Sequence, residues 1–257
     1  MSTPVIAVQL IVFGERNRSD FAGVLREVAA AGYAGFEAGN LFASQGEETT
    51  RRLLDETGLV PVGAHFGYGE FADTTKLDTH IQYAQAIGLR HLMCSGVADS
   101  KTAEGYRQSS AVFNEAGKRL SDAGLSLNYH NHAWEFDTLG GVTGMEILAQ
   151  ETDPRYVKFN LDVFWLYYAD QDPAAFIRKY KDRTGYFHFK DGRKSSQGVA
   201  HPEFTELGRG EVDLVAVMDA VREVGAEFLV VEQDSTHLTP LESISISRDY
   251  LRDTLGV

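Results

Sequence analysis

Five times along this chain a helical stretch runs into a glycine and, two or three residues later, into an apolar run: AAAGYAGFEA, DETGLVPVGA, QAIGLRHLMC, SDAGLSLNYH and REVGAEFLVV. A glycine there ends a helix, because it enters the left-handed conformation of a helix cap without steric cost. The short connection that follows carries the chain back to the next strand, so the repeat is the grammar of parallel strands joined by helices.

Read with that grammar, eight strands are predicted: VIAVQL (5–10), AGFEAG (34–39), VPVGAHFG (60–67), RHLMCSG (90–96), LSLNYHNH (125–132), VKFNLD (157–162), GYFHFK (185–190) and FLVVEQD (228–234). Most are near-continuous runs of Val, Ile, Phe and Leu, as strands covered on both faces require. The first helix, within SDFAGVLREVAAAGY, is expected to open at Ser19 or Asp20 as N-cap and to close near Gly32. The stretch 192–212 lacks helical period and is rich in Gly, Ser and His, which predicts a long loop after the seventh strand. An open doubly wound sheet would carry a phosphate or dinucleotide fingerprint, GxGxxG or GxxxxGK[ST], between strand and helix; none is present. The expected fold is therefore a closed (β/α)8 TIM barrel, and 257 residues suit one such domain over 1–257.

In a barrel of this kind the active site lies at the C-terminal ends of the strands. Polar residues there are Glu37 (second strand), His65 (third), the segment NYHNHAWEF at 128–136 (fifth), Asp162 (sixth), His188 and Lys190 (seventh) and Glu232 (eighth). An Asp, a His and a Glu from three successive strands form a mixed nitrogen and oxygen set suited to Mn²⁺, Mg²⁺, Zn²⁺ or Co²⁺. Lys190 alternates in phase with His188 and is expected at the barrel mouth, binding an oxyanion or pairing with Glu232 or Asp162. Trp134 and Trp165 are candidates to pack against the apolar face of a small substrate, and His65 and Glu37 to bind its polar groups.

The remaining composition narrows the partners. With 24 basic and 37 acidic residues the formal charge is −13, a field that opposes nucleic acid. GRKSS (192–196) is the nearest thing to a basic cluster, and no apolar run is long enough to span a membrane. A lone cysteine, Cys94, and an N-terminus without signal-peptide features fit a cytoplasmic protein; the sequence is compatible with a homo-oligomer.

Together YHNHAWEF (129–136), LDVFW (161–165), HFKDG (188–192), LGRGEVD (207–213) and VVEQD (230–234) resemble the sugar phosphate isomerase/epimerase superfamily with the xylose-isomerase-like barrel. The resemblance runs over essentially the whole chain. Its YHNHxxEF form is similar to a branch containing isomerases, epimerases, inosose-type dehydratases and enzymes of 3-keto sugars and their glycosides. It implies one divalent metal, Mn²⁺ foremost, held by side chains from the fifth to eighth strands. Asp162, His188 and Glu232 match three of those ligands. The fourth departs from the pattern: where many relatives carry a glutamate in the fifth strand, this chain has Asn128, so Glu135 is the expected ligand, with His130 the next choice and His132 a partner of a ligand carboxylate or of substrate.

The resemblance further implies a small carbohydrate substrate. The expected activity is isomerisation or epimerisation of a keto sugar or cyclic polyol by proton abstraction beside a metal-polarised carbonyl, with Glu232 and His130 as proton carriers. The alternatives are a lyase or dehydratase of the same substrates and a non-catalytic sugar-binding barrel. DNA repair by a multi-zinc cluster would need more ligands at the strand ends and a basic face, and this chain has neither. No glycine-rich phosphate cradle follows the last two strands, although GRGE (208–211) comes near to one.

Overall fold

The computed structural model describes residues 4–39, 44–194 and 201–257. Eight parallel strands close into a barrel: β1 (Val5–Gln9), β2 (Gly35–Gly39), β3 (Val60–Gly67), β4 (His91–Ser95), β5 (Ser126–His130), β6 (Val157–Asp162), β7 (Thr184–Phe189) and β10 (Phe228–Val231). Closure runs β1-β10-β7-β6-β5-β4-β3-β2, with β1 paired both to β2 and to β10.

The glycine grammar is the device that returns the chain to each strand. Gly32, Gly58, Gly88, Gly124 and Gly225 all have positive φ, between +69° and +85°. Gly58 and Gly88 are left-handed caps of the helices Glu47–Thr57 and Thr74–Ile87, their N–H groups bonding back to Leu54 O and to Ala84 O and Gln85 O. Of the two N-cap candidates for the first long helix, Asp20 fills the role, accepting from Gly23 N at the start of Phe21–Ala30, while Ser19 ends a preceding short helix.

Strand ends are shorter than the apolar runs suggest. The expected 125–132 stops at His130, since a 3-10 turn, Trp134–Phe136, begins soon after; 228–234 stops at Val231. Both truncations release polar residues into the mouth. The expected long loop at 192–212 contains a small antiparallel sheet instead, β8 (Asp191–Arg193) with β9 (Glu203–Thr205), Asp191 opposite Thr205. Strands of three residues each, DGR and EFT, are too short for a hydrophobic alternation to be read. Part of GRKSS, 195–196, lies outside the described residues.

Two apolar layers hold the barrel. The larger lies between strands and helices, and includes Phe36, Leu92, Tyr129, Phe159, Phe187 and Leu229. A smaller one, Ala7, Val62, Met93, Tyr186, Phe228 and Val230, fills the barrel interior. Strand alternation makes the two layers interleave: Phe187 and Phe189 face the helices, whereas Tyr186, His188 and Lys190 form the inner row. The apolar floor thus stops below His188, and polar side chains occupy the mouth above it.

Candidate metal centre at the barrel mouth

Register brings the polar inner row together. Asp162 on β6 stands directly beside His188 on β7, and His130 ends β5 opposite Asn160 of β6. Glu232 follows β10, the other neighbour of β7. One donor atom from each of His130, Asp162, His188 and Glu232 lies within 4.8 Å of the others, and all four residues are buried.

The arrangement is tightly held from behind. Asp162 caps the helix Val163–Tyr168 by accepting from Trp165 N at 2.9 Å, while Asn131 Oδ1 accepts from Asp162 N at 3.0 Å. His188 lies between two carboxylates, Nδ1 against Glu232 and Nε2 3.0 Å from Glu37. His130 packs its ring 4.7 Å from that of His188.

Burial disfavours charge here, and neighbours decide which groups keep it. It pushes the Asp162 carboxyl up, with Glu232 adding to the effect against the pull of Lys190. Glu232 goes the other way: burial is outweighed by Lys190 and His188, which hold it well below the usual carboxylate range. His130 is driven down by burial and by the neighbouring His188, so it is a neutral imidazole with a lone pair to offer.

These residues fit a divalent cation. Two imidazoles and two carboxylates are a donor set for Mn²⁺, Zn²⁺, Co²⁺ or Mg²⁺. Asp162 Oδ2 is buried inside the cluster without a hydrogen-bond partner among the described residues, with Lys190 Nζ 3.9 Å away, which leaves room for a closer positive charge.

Glu135, the expected fourth ligand, is not part of the cluster. Its Oε1 accepts from the Tyr129 hydroxyl at 2.7 Å and its Oε2 from His132 N at 2.8 Å, so both oxygens are used in folding the loop. Tyr129 belongs to the layer between strands and helices, and Glu135 goes with it, away from the mouth. The β5 member of the cluster is His130, the next choice from the sequence. Asn128, two residues earlier, sits lower, with Nδ2 3.2 Å from His91 Nδ1.

Glu37 is fully buried and accepts from Tyr186 and His188, so its hydrogen bonds here are made within the protein. His65 is only partly buried; its Nε2 meets Ser95 Oγ at 2.9 Å and its Nδ1 lies 3.4 Å from Glu37 Oε1. Next to it a cavity of about 410 Å³ is lined by Phe66, Ser95 and Glu70 among others.

Lys190 enters the mouth with its ammonium buried, 2.6 Å from Asp234 and 3.9 Å from both Asp162 and Glu232. Burial would lower its pKa, yet Glu232, Asp162 and Asp234 together raise it, so it stays protonated. Its Nζ lies over the rings of Trp165 and Phe204, at 5.1 and 4.6 Å. His132 stacks on Trp134 at 3.9 Å and stands 5.4 Å from Trp165, and the three form an aromatic wall.

Several supporting residues escaped the sequence reading. Asp234 lies within VVEQD but two residues past the expected ligand; Phe204 comes from the unforeseen β9; Tyr186 was legible only as an in-phase neighbour of His188.

Comparison with known proteins places this architecture. The family model described as xylose isomerase-like TIM barrel matches residues 25–254. The chain belongs to the xylose isomerase-like TIM-barrel family. Within reach of that family, an inosose dehydratase of Lacticaseibacillus casei is 25% identical over 92% of this chain and 90% of its own length. Among solved structures, a sugar phosphate isomerase/epimerase from Parabacteroides distasonis ATCC 8503 superposes with a TM-score of 0.84, at 20% identity, covering 100% of this chain and 96% of that one. A protein named IOLI, solved with a zinc atom, superposes with a TM-score of 0.76 at 15% identity, covering 96% of both chains. These structures share the fold of the xylose isomerase-like family member described here.

Proposed function

We propose that this chain is a divalent-metal-dependent enzyme of keto sugars or cyclic polyols that removes a proton beside a carbonyl and returns it, as an isomerase or epimerase does. The observation that carries the reading is the convergence of His130, Asp162, His188 and Glu232, with Asp162 Oδ2 left without a hydrogen bond among the described residues. Held by these four, a divalent ion supplies Lewis-acid polarisation of the substrate carbonyl.

The chain's own groups divide the rest of the work. Glu232 comes from β10 and His130 and His132 from the β5 side, so proton carriers flank the centre from two directions. Burial and the nearby Lys190 push His132 down to about 3, which keeps it neutral, and its Nδ1 is buried without a partner among the described residues. With His130 engaged as a ligand, His132 is the imidazole free to move a proton. The Lys190 ammonium is placed to hold a developing oxyanion. Trp134 and Trp165 offer faces for sugar C–H groups, and His65 with Ser95 and Glu70 offers hydroxyl partners in the adjacent cavity.

Elimination of water is the second reading, favoured by the similarity to an inosose dehydratase along most of both chains and by the permanently protonated Lys190 beside Glu232. Both readings begin with the same proton.

Metal-loaded protein incubated in D2O with an inosose and with a set of keto-hexoses tests this directly by NMR. Deuterium is expected at carbon next to the carbonyl, and not with Asp162→Ala. A labelled epimer or isomer supports the first reading; an unsaturated product with an enone absorbance transfers support to the second. No exchange in any of these compounds contradicts both.

A further inference from the structure

Beside the four converging donors, and outside their set, sits a fully buried carboxylate. Glu37, on β2, is fully buried; its Oε2 accepts from the Tyr186 hydroxyl at 2.5 Å and lies 3.0 Å from His188 Nε2. Two strands, β10 and β1, separate β2 from β7 in the sheet, so this contact crosses the barrel interior. Space is reserved for it. Gly63 on β3 has no side chain, and a Cβ there would stand 2.6 Å from Tyr186 Oη and 3.2 Å from Glu37 Oε2.

A neutral imidazole has one nitrogen bearing hydrogen and one bearing a lone pair, and the hydrogen bond made by the first decides which is which. An ionised carboxylate only accepts. The Tyr186 hydroxyl donates to Glu37 Oε2, so the same carboxylate oxygen meets His188 as an acceptor and places hydrogen on Nε2. Nδ1, the nitrogen already turned to Glu232, is then the one that can donate to a cation. His65 Nδ1, 3.4 Å from Glu37 Oε1, steadies the other oxygen.

Resting on the metal-centre reading above, we infer that Glu37 is the positioning residue of that centre: it fixes the tautomer and aim of His188, and so sets how tightly the four donors hold a divalent cation. Tyr186 acts one step further back, by fixing Glu37. Carboxylates placed behind a ligating histidine commonly change metal affinity by about 10–100-fold when removed.

The test uses the full chain, with Mn²⁺ and Zn²⁺ affinities measured by competition against a fluorescent chelator for the unaltered protein, Glu37→Gln, Tyr186→Phe and Asp162→Ala. Glu37→Gln keeps the side-chain shape and is expected to bind both ions about 10–100-fold more weakly. Tyr186→Phe is expected to weaken them in the same direction but less, and it carries the test should Glu37→Gln not fold. The visible spectrum of the Co²⁺-loaded protein is expected to shift in both variants, which a purely structural role would not produce. Unchanged affinity, or an unchanged Co²⁺ spectrum, in folded Glu37→Gln overturns the inference. Failure of the unaltered protein to bind any of these ions overturns instead the metal-centre reading on which it rests.

Discussion

Lys190 is the residue at which the electrostatics of the mouth are most exposed to test. Its ammonium is the positive charge that balances Asp234, Asp162 and Glu232 in a water-poor setting, and its stem lies along Trp165 and Phe204. Lys190→Met keeps the stem and deletes the charge. Loss of a preorganised charge aimed at a developing oxyanion typically costs about 100–1000-fold in kcat, and that is the fall expected in the deuterium-exchange rate. Metal content should be retained, because the substitution removes a cation from beside two ligand carboxylates; a variant with full rate would remove Lys190 from the chemistry. The residues at this scale differ in how legible they were. Asp162, His188 and Glu232 could be read because each lies within two residues of the end of a predicted strand and period-2 alternation fixes its direction. Glu135 could not, because its destination depends on two hydrogen bonds, from Tyr129 and from His132 N, made after the strand has ended. No periodicity extends into such a turn.

Among the elements, the segment between β7 and the helix Leu214–Val224 departs most from its sequence reading. It is organised around one buried carboxylate: Asp191 accepts from the backbone N–H groups of Gly192, Gly208, Gly210 and Val212, at 2.9 to 3.2 Å. Gly210 approaches so closely that a Cβ there would lie 2.1 Å from Asp191 Oδ1. This clasp seats β8 against β9 and thereby holds Phe204 over Lys190. Asp191→Ala would strand several buried amides at once, each a loss of about 1–3 kcal/mol when left unsatisfied. Urea denaturation is expected to show a loss of about 2–4 kcal/mol, with a reduced exchange rate through the loosened Phe204; stability within 0.5 kcal/mol of the unaltered protein, the usual range of a neutral surface change, would show that the clasp carries no weight. Sequence inspection found LGRGEVD as a motif without its reason, since glycines that make room for a distant carboxylate look like ordinary loop glycines. Arg183 is similar: its guanidinium bonds Ala149 O, Thr152 Oγ1 and Val157 O and lies 4.2 Å from the Phe159 ring centre, none of it foreseeable from its neighbours in sequence.

For the molecule as a whole, the barrel was readable because its signal is repeated. The glycines capping successive helices and the buried parallel strands each state the same architecture, and closure followed from the missing nucleotide fingerprint. Strand register was not readable, yet register is what sets Asp162 beside His188 and lets Glu37 meet a strand three places away. Among the described residues no helix is long and apolar enough to cross a membrane, and the acidic balance of 24 basic to 37 acidic residues disfavours nucleic acid. What the fold concentrates at one end is negative charge and imidazole around a buried carboxylate oxygen without a hydrogen bond among the described residues, a setting suited to a cation. Elemental analysis of protein purified without chelator or metal-affinity column, beside Asp162→Ala prepared identically, tests that claim most directly. The account predicts about one equivalent of a divalent metal ion, as one four-donor site holds, in the unaltered protein and a large loss in the variant. Equal metal content in the two, or none in the unaltered protein even after dialysis against Mn²⁺, Zn²⁺ and Co²⁺, would contradict it.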